Sequence, residues 1–190
     1  MYKTTTLIHK RSLFKRKVTE RSNRVKTVYI HVYGRMILNF GLMLIVGLYF
    51  TERFRISLPS SQHSCLNASF YLIDTYDKKL EKGGLVAFGF PQKNNPWYKE
   101  NTPFIKIAAG TEGDHVAVSP TGYKINDNTV FLSIKYAMEK LKLKKSDVTK
   151  AFVIPKNTFF GVGETYQSYD SRFWGVIPKE KIIGRAYAIL

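Results

Sequence analysis

The chain has 190 residues, with 30 Lys and Arg against 14 Asp and Glu for a net charge of +16, and a single cysteine, Cys65. One cysteine excludes an internal disulfide. The four histidines, His9, His31, His63 and His115, lie without metal-ligand spacing, so neither a metal nor any other cofactor is expected.

The excess charge is concentrated at the start. Residues 1–35 hold ten Lys or Arg and one acid, Glu20, which is +9 of the +16. Residues 36–50 are uncharged, and with the mixed segment from Val28 they reach the roughly twenty residues that a bilayer requires. A basic flank before an apolar span predicts a cytoplasmic N-terminus. The expected organisation is therefore a basic cytoplasmic segment at 1–35, the core of a transmembrane anchor at 36–50 and an extracytoplasmic domain at 51–190. No small-x-small cleavage site follows Phe50, where the sequence reads Thr51-Glu52-Arg53-Phe54-Arg55, so the span is read as an uncleaved anchor rather than a signal peptide. The competing reading is a buried core helix. Lys10-Arg11 and Lys15-Arg16-Lys17 lack the interleaved aromatics of a single-strand platform. Attraction to anionic lipid explains them with fewer assumptions, so the expected partner is a lipid bilayer and not nucleic acid.

Residues 51–190 are enough for one domain with a real core. Short runs rich in β-branched and aromatic residues recur at 70–74, 85–90, 104–108, 116–119, 151–154, 158–160, 173–177 and 182–189. Turn signals such as Lys82-Gly83-Gly84, Pro120-Thr121-Gly122 and Asn126-Asp127-Asn128 divide them. Ile134, Ala137, Met138 and Leu141 fall at helical spacing within 133–143. The fold class is thus mainly β, an antiparallel domain with one short helix after a single N-terminal transmembrane helix. Asn95-Pro96-Trp97-Tyr98 fits either a lipid interface, where Trp and Tyr are favoured, or a packed loop.

Two segments carry chemistry. Lys106 lies in the apolar run Phe104-Ile105-Lys106-Ile107-Ala108-Ala109, followed by the turn Gly113-Asp114. A lysine acts as a base only when neutral, and apolar neighbours disfavour its charged form. The commoner fate of a strand lysine is a stem packed on the sheet with its head in water. Near the end, Ser168, Asp170, Ser171 and Arg172 form a Ser-x-Asp-Ser-Arg cluster ahead of Phe173-Trp174-Gly175. An acid two residues before an arginine forms a charge-assisted pair that pins a turn.

These blocks, in this order, resemble the signal peptidase I (leader peptidase) family of membrane-bound serine proteases. The resemblance covers about residues 62–190 and is densest at the end. It implies a Ser/Lys dyad on the antiparallel scaffold of that family. Five serines crowd the stretch from Ser57 to Ser69. The family places its nucleophile just ahead of a strand such as 70–73, which selects Ser64, in Gln62-His63-Ser64-Cys65-Leu66-Asn67. Ser57-Leu58-Pro59 is the minority alternative. By resemblance Lys106 is the general base, Ser168 orients it, and Asp170 with Arg172 clamps the loop carrying Ser168. The oxyanion donors are then the Ser64 N–H and the side chain of Gln62. Four positions depart from the family's pattern: Asn67 stands where proline is usual, Gln62 replaces a hydroxyl residue, and Glu164-Thr165 replaces Asp-Asn. Cys65 is a rival nucleophile, for which His63 and His115 are the candidate partners, and it fits better as a small residue lining the cleft.

Within the family, Ser-Cys-Leu, the following Phe-Tyr-Leu-Ile-Asp and Ser-Tyr-Asp-Ser-Arg look most like the TraF-type peptidases of bacterial conjugation. The expected activity is cleavage of exported precursors bearing a signal peptide, such as a prepilin or another transfer component. The site of action would be the bacterial cytoplasmic membrane, with the catalytic domain periplasmic. The alternatives are a housekeeping leader peptidase, or a catalytically silent membrane-anchored assembly component with the same fold.

Overall fold

The computed structural model describes residues 3–58 and 65–189, and the chain divides into two units, one ending at Thr51 and the other beginning at Glu52. All described residues of the first unit lie in helix α1, Lys3–Arg53. No proline occurs before Pro59, so nothing in this stretch removes a helical hydrogen bond. Within α1, the stretch Tyr29–Arg53, of 25 residues and mean hydropathy 1.5, is long and apolar enough to cross a membrane and is unburied. The uncharged core at 36–50 is the middle of this longer helix. Tyr29, His31 and Tyr33 lower hydropathy without breaking the backbone.

The second unit is built from two antiparallel sheets. Strands β1 (Phe54–Ser57), β2 (Tyr71–Asp74), β3 (Leu85–Gly89) and β4 (Pro103–Thr111) belong to the larger sheet, together with β9 (Thr158–Val162), β10 (Ile177–Pro178) and β11 (Ile182–Ala188). Its order is β1-β2-β11-β3-β4-β9-β10. The smaller sheet has the order β7-β6-β5-β8, from β5 (His115–Ser119), β6 (Gly122–Ile125), β7 (Asn128–Val130) and β8 (Lys150–Val153). In β5, Val116 and Val118 are buried while His115 and Ala117 are exposed, the alternation of a sheet covered on one face. Strand β9 is buried from Phe159 to Val162 because both its faces are used. Phe159 joins Val86, Phe88, Ala108, Ile177 and Ile182 in one cluster. Phe160 and Val162 join Val116, Val118, Ile125 and Ile154 in another, which ties the two sheets together.

Among the described residues, three α-helical segments punctuate the strands, α2 (Lys135–Lys140), α3 (Lys145–Val148) and α4 (Ser171–Trp174), with a 3-10 turn at Lys179–Lys181. The periodic run 133–143 contains α2, with Ala137 and Met138 buried. The expectation of a strand over 173–177 is corrected. Its first half is the turn of α4, because the Asp170 side chain accepts the Arg172 N–H and caps a helix there. The region between the lysine strand and the C-terminal cluster is a layer of its own. It holds the whole four-stranded sheet, whose β6 and β7 are too short to stand out between turn signals.

The turn from β4 into β5 depends on Asp114. Gly113, at φ +85°, takes a conformation that favours glycine. Asp114 Oδ2 then accepts the Thr111 N–H at 2.8 Å and Lys82 Nζ at 2.9 Å, while Oδ1 accepts Asn126 Nδ2 at 2.7 Å. Burial alone would raise its carboxyl, but these donors and the Lys82 charge outweigh it and hold the group down at about 2. A folded value below the ordinary 3.8 contributes stability above pH ~4 that disappears as pH falls through about 2. Asp114→Asn is expected to cost about 1 kcal/mol at neutral pH, measured by urea unfolding. The gap from wild type should close at pH ~2, and a gap independent of pH would show that the charge is not what holds the turn.

Candidate active site

Lys106 sits in mid-β4, paired across the sheet with Val86 of β3. It is only 2% exposed, so its head does not reach water as a strand lysine's usually does. Its Nζ instead donates to Ser168 Oγ at 3.0 Å, and Ser168 Oγ donates to Asp170 Oδ2 at 2.7 Å. Ser168, Asp170, Ser171 and Arg172 are fully buried.

A buried ion pair is tolerated when its polar atoms all find partners, and here each side-chain nitrogen of Arg172 and each carboxylate oxygen of Asp170 has one. Arg172 Nε donates to Asp170 Oδ1 at 2.8 Å and Nη2 to Oδ2 at 2.7 Å, a bidentate fork. The Gly163 N–H adds a bond to Oδ2 at 2.9 Å, and Arg172 Nη1 donates to the Leu132 carbonyl at 2.9 Å. Burial pushes the Asp170 carboxyl up, but the Arg172 hydrogen bonds and charge, the Lys106 charge and the Gly163 N–H together hold it below the usual carboxylate range. The Gly161 N–H donates to Ser171 Oγ at 3.0 Å, fastening the cluster to β9. Sequence spacing predicted a pinned turn. The structure adds that the pin is internal and reaches the lysine.

Lys106 opens onto a cleft of about 310 Å³ whose lining includes Ser57, Leu58, Cys65, Tyr98 and Tyr169. An adjoining cavity of about 430 Å³ shares Cys65, Tyr98 and Tyr169. Ser64, Gln62 and His63, together with Pro59, lie outside the described residues. Cys65, the next residue after Ser64, lines the cleft, and its carbonyl accepts the Glu164 N–H at 2.8 Å. Ser57, at the end of β1, lines the same cleft. His115 belongs to the smaller sheet and lines a separate hollow with Ala117 and Lys124, so it is not brought to the cleft beside Cys65. Among the described residues no group of His, Cys, Asp and Glu is arranged to hold a metal ion.

Several contributors escaped the sequence reading. Tyr169 stacks on Tyr98 with centroids 5.8 Å apart and meets Trp97 edge-on at 5.7 Å. Asn95 Nδ2 donates to the Tyr169 hydroxyl at 2.9 Å, which makes Asn95-Pro96-Trp97-Tyr98 a loop packed on the cleft. Burial pushes the Tyr169 phenol up. Its signal was an aromatic set inside an otherwise polar motif. Lys150 is half-buried and donates from Nζ to the Phe173 carbonyl at 3.1 Å, bracing α4, and burial pushes its pKa down.

Together these features define an antiparallel β protein in which a lysine, a serine and a carboxylate form one buried hydrogen-bonded series at a cleft. The sequence model of the family described as signal peptidase, peptidase S26, matches residues 29–190, and the chain belongs to that family. It is 29% identical over 111 residues to a probable signal peptidase I-2 of Synechocystis sp., covering 56% of this chain and 46% of that protein. It is 40% identical over 50 residues to signal peptidase I of Aquifex aeolicus, covering 26% and 20%. Thylakoidal processing peptidase 1, chloroplastic, of Arabidopsis thaliana is 28% identical over 124 residues, covering 60% and 33%. The chain thus spans less than half the length of each of these curated relatives. Among solved structures, a signal peptidase I from Enterococcus faecalis V583 is 18% identical, with 57% of this chain and 97% of that one covered at a TM-score of 0.39.

Proposed function

We propose that this chain is a membrane-anchored serine endopeptidase that removes signal peptides from exported precursor proteins, with Ser64 as nucleophile and Lys106 as general base. The observation that carries the reading is the buried Lys106–Ser168 hydrogen bond beside a cleft that Cys65, the neighbour of Ser64, also lines. In the proposed reaction neutral Lys106 takes the hydroxyl proton of Ser64 as its oxygen attacks the scissile carbonyl. The Ser64 N–H and the Gln62 amide receive the oxyanion. Lys106 then returns the proton to the leaving amine, and the acyl-enzyme is resolved by water that Lys106 deprotonates in turn. Ser168 accepts from the lysine and aims it. Asp170 and Arg172 hold Ser168.

Helix α1 is the proposed anchor, since Tyr29–Arg53 has the length and composition of a span. The basic segment before it favours a cytoplasmic N-terminus and a catalytic domain on the far side of a bacterial cytoplasmic membrane. The proposed substrate is a pilin precursor or another component of a conjugative transfer system, on the strength of the Ser-Cys-Leu and Ser-Tyr-Asp-Ser-Arg spellings. Ser57 is kept as a second candidate nucleophile because it lines the same cleft.

The test is mass spectrometry of prepilin and general exported precursors incubated with the purified full-length protein, beside a reporter active only outside the cytoplasm fused after Leu190. Cleavage at one site near the end of the signal segment, with an active reporter, is expected. Intact precursors of both kinds would favour a silent assembly component, and an inactive reporter would overturn the orientation.

A further inference from the structure

Asn67 and Glu164 are far apart in sequence and adjacent in space. The Asn67 N–H donates to Glu164 Oε2 at 2.9 Å, and the Glu164 N–H donates to the Cys65 carbonyl at 2.8 Å. One residue thus supplies a carboxylate acceptor to one end of the segment 65–67 and a backbone donor to the other. The close approach depends on Gly163. A Cβ there would lie 2.6 Å from the Cys65 carbonyl oxygen and would collide with the Ser168 side chain. The Gly163 N–H is itself held by Asp170 Oδ2, the atom that also accepts from Ser168, the partner of Lys106. A continuous series of short contacts therefore runs from the lysine to the segment that immediately follows position 64.

We propose that Glu164 is a positioning residue that clamps this segment, and so sets Ser64 against Lys106. The inference rests on the assignment of Ser64 and Lys106 as the reacting pair. Attack on a carbonyl needs the reacting atoms held to within a fraction of an ångström, and a loop cannot supply that unless its backbone is fixed. A proline at residue 67 would restrict the backbone by its ring and would present no N–H. Asn67 leaves both the freedom and the donor, and the Glu164 carboxylate takes up both. Gln62, His63 and Ser64 lead directly into this clamped segment. Glu164 also explains why a longer acid serves at this position, since its carboxylate reaches back across the loop to the backbone of Asn67.

The experiment uses the full chain in detergent and has two readouts. Amide hydrogen exchange at 65–67 reports the clamp whatever the activity. Cleavage kinetics on a peptide spanning a processed precursor site report positioning. Glu164→Ala is expected to speed exchange at 65–67 and to lower kcat, each by roughly tenfold, with KM and Tm nearly unchanged. Glu164→Gln keeps an acceptor oxygen and should retain most of both. In an Asn67→Pro background, Glu164→Ala should cost little further activity, because the donor it served is gone. Unchanged exchange in Glu164→Ala would overturn the clamp. Faster exchange with kcat unchanged would overturn the positioning role. Faster exchange in Glu164→Ala beside a wild-type chain that cleaves no substrate would retain the clamp and overturn the Ser64–Lys106 reading.

Discussion

Ser64→Ala and Lys106→Met are each expected to abolish precursor cleavage, a loss of about 10⁴-fold or more in kcat, and the double variant should be no worse than either single one. The non-additivity follows from the proposed roles. A serine without a base is a weak nucleophile, and a base without the serine has no proton to take. Methionine at 106 replaces a buried side chain of similar length, and Ser168 keeps its bond to Asp170. The fold should therefore survive, so circular dichroism and Tm separate a lost reaction from a lost structure. Ser57→Ala is the control that decides between the serines. Cleavage that persists in Ser64→Ala and vanishes in Ser57→Ala would transfer the nucleophile to the end of β1.

Arg172→Ala should produce the largest stability loss, about 3–5 kcal/mol, because it leaves the Asp170 carboxylate buried and without its cationic partner. Asp170 and Arg172 are both fully buried and joined by a bidentate fork. Ser168→Ala should cost about 1 kcal/mol in stability while slowing cleavage strongly, since Asp170 keeps Arg172 and Gly163 but Lys106 loses the acceptor that aims it. Equal destabilisation in the two variants, measured by urea unfolding, would erase the distinction between clamp and orienting residue. The pair also has an acid signature. The Asp170 carboxyl is held below its ordinary value of 3.8, so its contribution is present at neutral pH and is lost only as acidification passes below that value. Arg172→Ala should accordingly show a weaker acid-dependent loss of stability than wild type.

Strands β2, β3, β4, β5, β8, β9 and β11, the apolar helix, and the lysine and serine-acid-arginine blocks were legible in residue order. Each depends on local patterns: the uncharged run at 36–50, the dense β-branched and aromatic stretches, and Asp170 two residues before Arg172. What residue order could not supply was the far side of each contact. In residue order Lys106 is a lysine in an apolar run, whose usual fate is to send its head into water. Only the packed domain buries it and brings Ser168, 62 residues later in the chain, to its Nζ. Strands β6 and β7 escaped for a related reason, because they are short and hold their shape through partners rather than through intrinsic preference. Likewise Phe173-Trp174 reads as strand by composition and folds as a helical turn, since the Asp170 cap outweighs the weak local propensity. Local chemistry along the chain therefore set which residues were able to act. Burial and hydrogen bonding between segments 60 to 100 residues apart decided which of them meet, because a lysine's desolvation and a carboxylate's partners are properties of the packed sheet and not of the chain order.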